Sequence, residues 1–144
     1  MANEVESLDQ NKTWVLVDKN TFLKSRKRLL GNKWVYKVKN GPFGKCYKAR
    51  LVIKGYEQCY RIDYQETFAP VAKFITIQIL FALAAYFDWE IEHIDVITAF
   101  LNPNLHEEVY IEQPEGFVVT SASRGKLVCK LLKTLYRLKQ ASRA

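Results

Sequence analysis

Two stretches of this chain alternate polar and apolar residues with period two, and the link between them is rich in turn formers. Lys33 to Lys39 sets Trp34, Tyr36 and Val38 against Lys33, Lys37 and Lys39, and Tyr47 to Lys54 sets Ala49, Leu51 and Ile53 against Lys48, Arg50 and Lys54. With Asn40-Gly41-Pro42-Phe43-Gly44 between them, the pattern predicts a β-hairpin with one apolar and one cationic face. A different pattern follows Pro70. Residues Ile75 to Phe87 are apolar on every side, which predicts a buried helix with Thr76 as candidate N-cap. Trp89 to Val96 reads as a strand, as do Trp14 to Val17, residues 107 to 112 and Leu127 to Leu132. Residues 1 to 11 read as a short polar helix or leader, Lys24 to Arg28 as a basic loop, Gly55 to Phe68 as a polar loop, Gln113 to Gly116 as a turn, and the end as a basic tail. The expected class is α+β, a mixed antiparallel sheet with a buried helix.

Asp95 is the residue this pattern makes conspicuous, because it falls within the apolar run Ile94-Asp95-Val96-Ile97. An acid is almost never fully buried unless it is paired or bound to a cation. Its placement points to a metal or a catalytic role, or more plainly to a strand-end acid capping the next turn.

Charge changes the picture further. Residues 19 to 56 hold 12 of the 22 Lys and Arg and none of the 15 Asp and Glu. Residues 57 to 115 hold 11 acids against Arg61 and Lys73, and seven bases follow with no acid. Such sign blocks fit a polyanion-binding patch beside an acidic one, or a solubilising surface. At 144 residues and 49% hydrophobic content the chain is long enough for one domain with a core. Cys46, Cys59 and Cys129 are odd in number and form no Cys-x-x-Cys pair, against a disulfide framework or a structural zinc site. His93 and His106 are too isolated for a metal site, and no Ser-His-Asp set, Gly-rich phosphate loop or Cys-His pair supports a hydrolase or kinase. Neither a signal peptide nor a membrane span is legible, so the expected location is intracellular, cytoplasmic or nuclear.

Six blocks together carry a family resemblance. They are Lys33-Trp34-Val35-Tyr36-Lys37, the run Lys48 to Gly55 (KARLVIKG), the run Ile62 to Val71 (IDYQETFAPV), Asp95 to Leu101 (DVITAFL), Glu108 to Pro114 (EVYIEQP) and Leu135 to Gln140 (LYRLKQ). In this order and spacing the chain closely resembles the reverse transcriptase of Ty1/copia-type LTR retrotransposons, from about Glu4 to Arg143. The resemblance implies a right-hand polymerase, of which this chain is similar to the fingers and the first part of the palm. Residues 1 to 72 would be the first fingers segment with the basic hairpin, 73 to 101 the palm helix and the strand bearing Asp95, and 102 to 144 a return to the fingers with a basic tail. The second half of the palm, thumb and RNase H regions have no counterpart in it.

What the resemblance implies for single residues follows the same blocks. Asp95 would be the first of three catalytic carboxylates holding two magnesium ions (Mg2+), with the Val96 carbonyl as a further ligand. Magnesium favours hard oxygen donors, and paired metals stabilise both oxygens of an in-line displacement. Phe100, with Thr98 and Ala99 beside it, would sit where the family has an aromatic gate against the ribose 2′-hydroxyl; alone, this Phe reads as core. Lys48 and Arg50 would approach the triphosphate of the incoming dNTP, and which is the closer stays open. Lys33, Lys37 and Lys39 would contact nucleic acid, Lys54 would do so along the template, and Gln140 would lie near the nucleotide 3′-hydroxyl and template base.

Some positions depart from the family's pattern. Arg61 and Arg137 stand where Gly is common, Pro103 follows Asn102 where Gly is typical, and Ser142 replaces a usual Pro. Gly in such turns supplies φ > 0 or close backbone approach, which Arg provides poorly, so a distorted turn is expected at Arg137. The family's Tyr-x-Asp-Asp hairpin, which carries the other two aspartates, is not among these residues. The expected function is therefore a portion of an RNA-directed DNA polymerase, acting on an RNA or DNA template-primer and dNTP but inactive alone. The alternatives are a sequence-nonspecific nucleic-acid-binding remnant without catalysis, or an inert remnant with an exposed helix surface.

Overall fold

A computed structural model describes residues 1–25, 27–41, 44–96, 98–121 and 125–143. Among these residues three helices and seven strands follow in the order α1 (Ala2–Gln10), β1 (Trp14–Asp18), α2 (Lys19–Ser25), β2 (Leu29–Leu30), β3 (Asn32–Gly41), β4 (Gly44–Ile53), α3 (Phe74–Tyr86), β5 (Tyr110–Ile111), β6 (Thr120–Ser121) and β7 (Gly125–Leu131). The class is α+β, with two separate sheets.

The larger sheet runs β1-β7-β5-β2, with β6 paired to β7. Pairing is antiparallel at β1/β7, where Trp14 faces Leu131, and at β5/β7, where Ile111 faces Cys129; β2 lies parallel to β5. Alternation along these strands sends side chains to opposite faces, and each face has its own cover. On one face α2 lays Phe22 edge-on against Tyr110, ring centroids 5.3 Å apart, beside Val128. On the other, Ile111, Cys129 and Leu131 join Leu8 of α1, Leu30, Leu51 and Ile53, with Leu101, Val109, Leu135, Leu138 and Ala141 completing the main core. Helix α1 ends where Asn11 turns back, its side-chain amide donating to the Ser7 carbonyl at 2.7 Å.

The hairpin forms where its alternation predicted. Strands β3 and β4 pair antiparallel from Asn32↔Ile53 to Gly41↔Gly44, and Gly44 takes φ 119° at the turn. The intervening Pro42 and Phe43 lie outside the described residues. Among its described residues the hairpin is buried only at its base, at Leu51, Val52 and Ile53. There the Ile53 N–H donates to the Tyr136 carbonyl at 3.0 Å, and the Trp34 indole N–H to the Glu115 carbonyl at 3.0 Å.

Four expectations need correction. Helix α3 exists, but it is not buried: Ala84 is its one buried residue, while Phe74, Ile75, Ile79, Leu80, Phe81 and Tyr86 are all exposed. All-round apolarity reports a need for partners on several sides, and the main core closes without this helix. Its N-cap is Lys73 rather than Thr76. The 89–96 segment forms no strand; its residues are exposed, and a period-2 pattern without a ladder partner cannot become sheet. The residues after Leu132 are no tail, because Leu135, Leu138 and Ala141 fold inward at intervals of three and anchor the segment in the core. Helix α2 had no expectation at all; it occupies the start of what read as a basic loop.

Candidate nucleic-acid interface

Pairing register decides which bases meet. Lys37 stands directly opposite Lys48 and Val35 opposite Arg50, so Lys33, Lys37, Lys39, Lys48 and Arg50 share one exposed face of the hairpin. Like charges directly opposite one another weaken a strand pair, so this face is built against its own stability. An anion laid across it removes that repulsion. Arg50 is additionally held over the Tyr136 ring, 5.3 Å from its centroid, which orients the guanidinium where hairpin and C-terminal segment meet. Glu4 on α1 is an acid that acts on Arg50. Burial pushes its pKa upward, against the opposing pull of the Leu51 backbone and of Arg50.

Gln140 is placed differently from its sequence-assigned neighbours. It is buried, its carbonyl oxygen accepts from the Gln58 amide at 3.0 Å, and its own amide donates to the Asp63 carbonyl at 3.0 Å. Gln58 also accepts from the Lys139 N–H at 2.9 Å, and the Asp63 carboxylate accepts from the Cys59 N–H at 2.7 Å. In this arrangement Gln140 clasps the 55–64 loop to the C-terminal segment. Arg61 and Arg137, where the resemblance leads one to expect glycine, both lie in the left-handed region that favours it, at φ 65° and φ 68°.

Asp95 and Val96 are exposed, on the 89–96 segment that belongs to no helix or strand. Thr98 follows in the left-handed region at φ 53°, ψ 38°, and caps a 3-10 turn, Ala99–Leu101, that seats Leu101 in the core. The Phe100 side chain lies outside the described residues, and so does Ile97. Among the described residues no three His, Cys, Asp or Glu side chains group as a metal site. Asp95 offers one carboxylate, and two ions bridged in the manner of an in-line displacement need more. The described residues by themselves therefore do not fit the magnesium pair. Lys54, last of the assigned bases, sits at the hairpin base, 4.0 Å from Glu57.

Sequence reasoning missed a second charged group. Lys130 on β7 pairs with Glu108, and the Tyr110 hydroxyl donates to the same carboxylate at 2.8 Å. The Lys130 hydrogen bond, then that of Tyr110, holds the Glu108 pKa low, and Lys130 is raised by its partner. The signal was available in the alternation of Glu108 and Tyr110, but Lys130 joins them only through the β5/β7 register.

The sequence profile of one family, described as reverse transcriptase (RNA-dependent DNA polymerase), matches residues 11–144. The chain belongs to the reverse transcriptase family. Its relatives include the retrovirus-related Pol polyprotein from transposon TNT 1-94 of Nicotiana tabacum, 50% identical over 99% of this chain and 10% of that protein. The Pol polyproteins from transposons RE1 and RE2 of Arabidopsis thaliana are 42% and 41% identical, each over 100% of this chain and 10% of the relative. This reverse transcriptase chain thus spans about a tenth of the length of these copia-type relatives. No solved structure matches it. No helix among the described residues is long and apolar enough to cross a membrane.

Proposed function

We propose that this chain supplies the phosphate-gripping fingers, with the beginning of the palm, of an RNA-directed DNA polymerase. The observation that carries the reading is the hairpin register, which sets Lys37 against Lys48 and leaves five bases on one face. Template-directed nucleotidyl transfer by such enzymes uses divalent magnesium. The described residues hold too few carboxylates for an ion pair by themselves; Asp95 and the Val96 carbonyl would be among the groups that hold the metal, which would supply Lewis-acid chemistry for the transfer. The chain's own residues do the rest. Lys48 and Arg50 hold the dNTP triphosphate, Arg50 by a forked contact and Lys48 as a point charge, while Lys33, Lys37 and Lys39 follow the template-primer backbone. Gln140 acts on the nucleotide site by fixing the loop against the segment that carries Tyr136. The main core draws on Leu8 to Ile53 and Val109 to Ala141, with α3 outside it, which supports a division of fingers 1–72 and 102–144 from a palm segment 73–101 that, among its described residues, sends only Leu101 into that core.

Nucleic-acid binding without catalysis is the second reading, and the single carboxylate at Asp95 favours it for the isolated chain. One experiment separates them. Without dNTP all five bases are free to meet backbone phosphates, so binding of a primer-template duplex should fall steeply with salt, with a log-log slope of roughly −4.5. Arg50→Glu should weaken binding for every sequence and flatten that slope by about one. Binding that ignores salt in a folded sample refutes both readings. Primer extension with magnesium should not exceed an Asp95→Asn control; extension lost in that control would restore full catalysis to the chain.

A further inference from the structure

At the base of the hairpin, where β4 meets the C-terminal segment, a cleft of about 350 Å³ is lined by Lys33, Ile53, Lys54, Gly55, Tyr56 and Arg137. Three bases and one phenol face it, with no carboxylate among its described lining residues. Nearby Glu57 has one oxygen accepting the Gly31 N–H at 2.8 Å and the other 4.0 Å from the Lys54 ammonium. That leaves Lys33 and Arg137 without an acid in the lining.

The floor of the cleft is held by backbone. Ile53 N–H donates to the Tyr136 carbonyl at 3.0 Å and Lys54 N–H to the Gly31 carbonyl at 2.9 Å. Gly55 approaches the other wall so closely that a Cβ there would stand 2.2 Å from the Arg137 carbonyl oxygen. A glycine is needed for this contact, and the contact fixes the turn from which Arg137 projects. That turn is strained: Arg137 sits at φ 68°, in a conformation that a glycine tolerates and an L side chain adopts at a cost. Backbone strain of this kind persists where the side chain it presents has a use.

We propose that this cleft is a phosphate-binding site. Its ligand is a phosphate or pyrophosphate group, carried either by a nucleic-acid backbone or by a free polyphosphate. Arg137 supplies the forked guanidinium contact, Lys33 and Lys54 supply point charges, and the Tyr56 hydroxyl donates a hydrogen bond. The lining charge and the strained turn carry the assignment; it shares Lys33 with the polymerase reading of the hairpin face, while Tyr56 and Arg137 belong to the cleft alone.

The test is calorimetric titration of inorganic pyrophosphate into the full 144-residue chain at low salt. Arg137→Gly should weaken binding by about tenfold, Arg137→Lys by less, and Lys33→Gln measurably, while Lys24→Gln on α2 leaves it unchanged. Thermal melts of each variant show that the fold is retained, and glycine at 137 relaxes the turn rather than breaking it. A parallel titration of a single-stranded oligonucleotide separates the sources. If Arg137→Gly loses oligonucleotide affinity as well, the ligand is a backbone phosphate; if it loses only pyrophosphate, the ligand is a free polyphosphate. Absence of pyrophosphate binding by the folded wild-type chain overturns the proposal, as does equal binding by wild type, Arg137→Gly and Lys33→Gln. Failure of oligonucleotide binding alone counts against the hairpin reading and leaves the pyrophosphate result intact.

Discussion

Arg137→Gly should make the protein more stable, although it deletes a side chain and adds backbone freedom to the unfolded state. Arg137 has φ 68°, and a left-handed backbone costs an L residue about 1–2 kcal/mol that glycine does not pay. Against this, the extra freedom of glycine in the unfolded chain costs about 0.4–1 kcal/mol. The net gain is about 0.5–1 kcal/mol, helped slightly by removing a cation from a cleft that already holds Lys33 and Lys54. Unfolding entropy of about 2.1 cal/mol/K per residue comes to about 0.3 kcal/mol/K for this chain, so Tm should rise by about 2–3 °C. Circular-dichroism melts of wild type, Arg137→Gly and Arg137→Ala decide the point, at low and at high salt. Alanine removes the charge and the guanidinium but keeps the Cβ, so it should show no such rise. If alanine stabilises as much as glycine, electrostatics and not backbone strain is the cause. A lower Tm for the glycine variant would mean that φ at this turn carries no such cost. Arg61→Gly is the internal comparison: Arg61 has φ 65°, but its guanidinium also lies over the Tyr60 ring at 5.4 Å, worth about 0.5 kcal/mol, so its gain should be smaller.

Gly55→Ala should do the opposite, because its new Cβ would stand 2.2 Å from a backbone oxygen that cannot rotate away; a loss of about 3 kcal/mol is expected, read as a lower urea midpoint at constant m. The Glu108 pKa is depressed by Lys130 and Tyr110, so its contribution is present above the ordinary value of 4.5 and fades as pH falls through the lower folded value. The Tm difference between wild type and Glu108→Gln should accordingly be positive at neutral pH and vanish in acid. The stability difference behind it should be no more than about 0.5–1 kcal/mol, since both partners of the ion pair are about a third exposed or more. Leu80→Glu on the exposed face of α3 should leave Tm nearly unchanged while reducing binding of a hydrophobic dye; a drop of many degrees would mean that this face is packed. Cys129 is buried, which pushes its thiol up to about 12, so iodoacetamide at neutral pH should label exposed Cys46 and spare Cys129 until the protein unfolds.

Much of the site is legible in the amino-acid sequence alone. Alternation predicts the hairpin and sorts its bases onto one face, because side-chain direction along a strand is set by the backbone and needs no partner. The resemblance, which leads one to expect glycine at positions 61 and 137, likewise points to two turns that do take φ > 0, and the family blocks identify the polymerase lineage. Other features depend on contacts across many residues, and local pattern holds no record of those. The clasp of Gln140 on Gln58 and Asp63 spans the chain, and without it Gln140 reads as a polar tail residue. The phosphate cleft exists because the end of β4 happens to dock along the Arg137 turn, bringing Lys33 and Lys54 to a guanidinium far along the chain. The buried helix and the Asp95 strand failed for one shared reason. Hydrophobic periodicity states what an element must bury or pair with, whereas the tertiary structure alone decides whether a partner is there, and among the described residues α3 and the 89–96 segment have little to pack against.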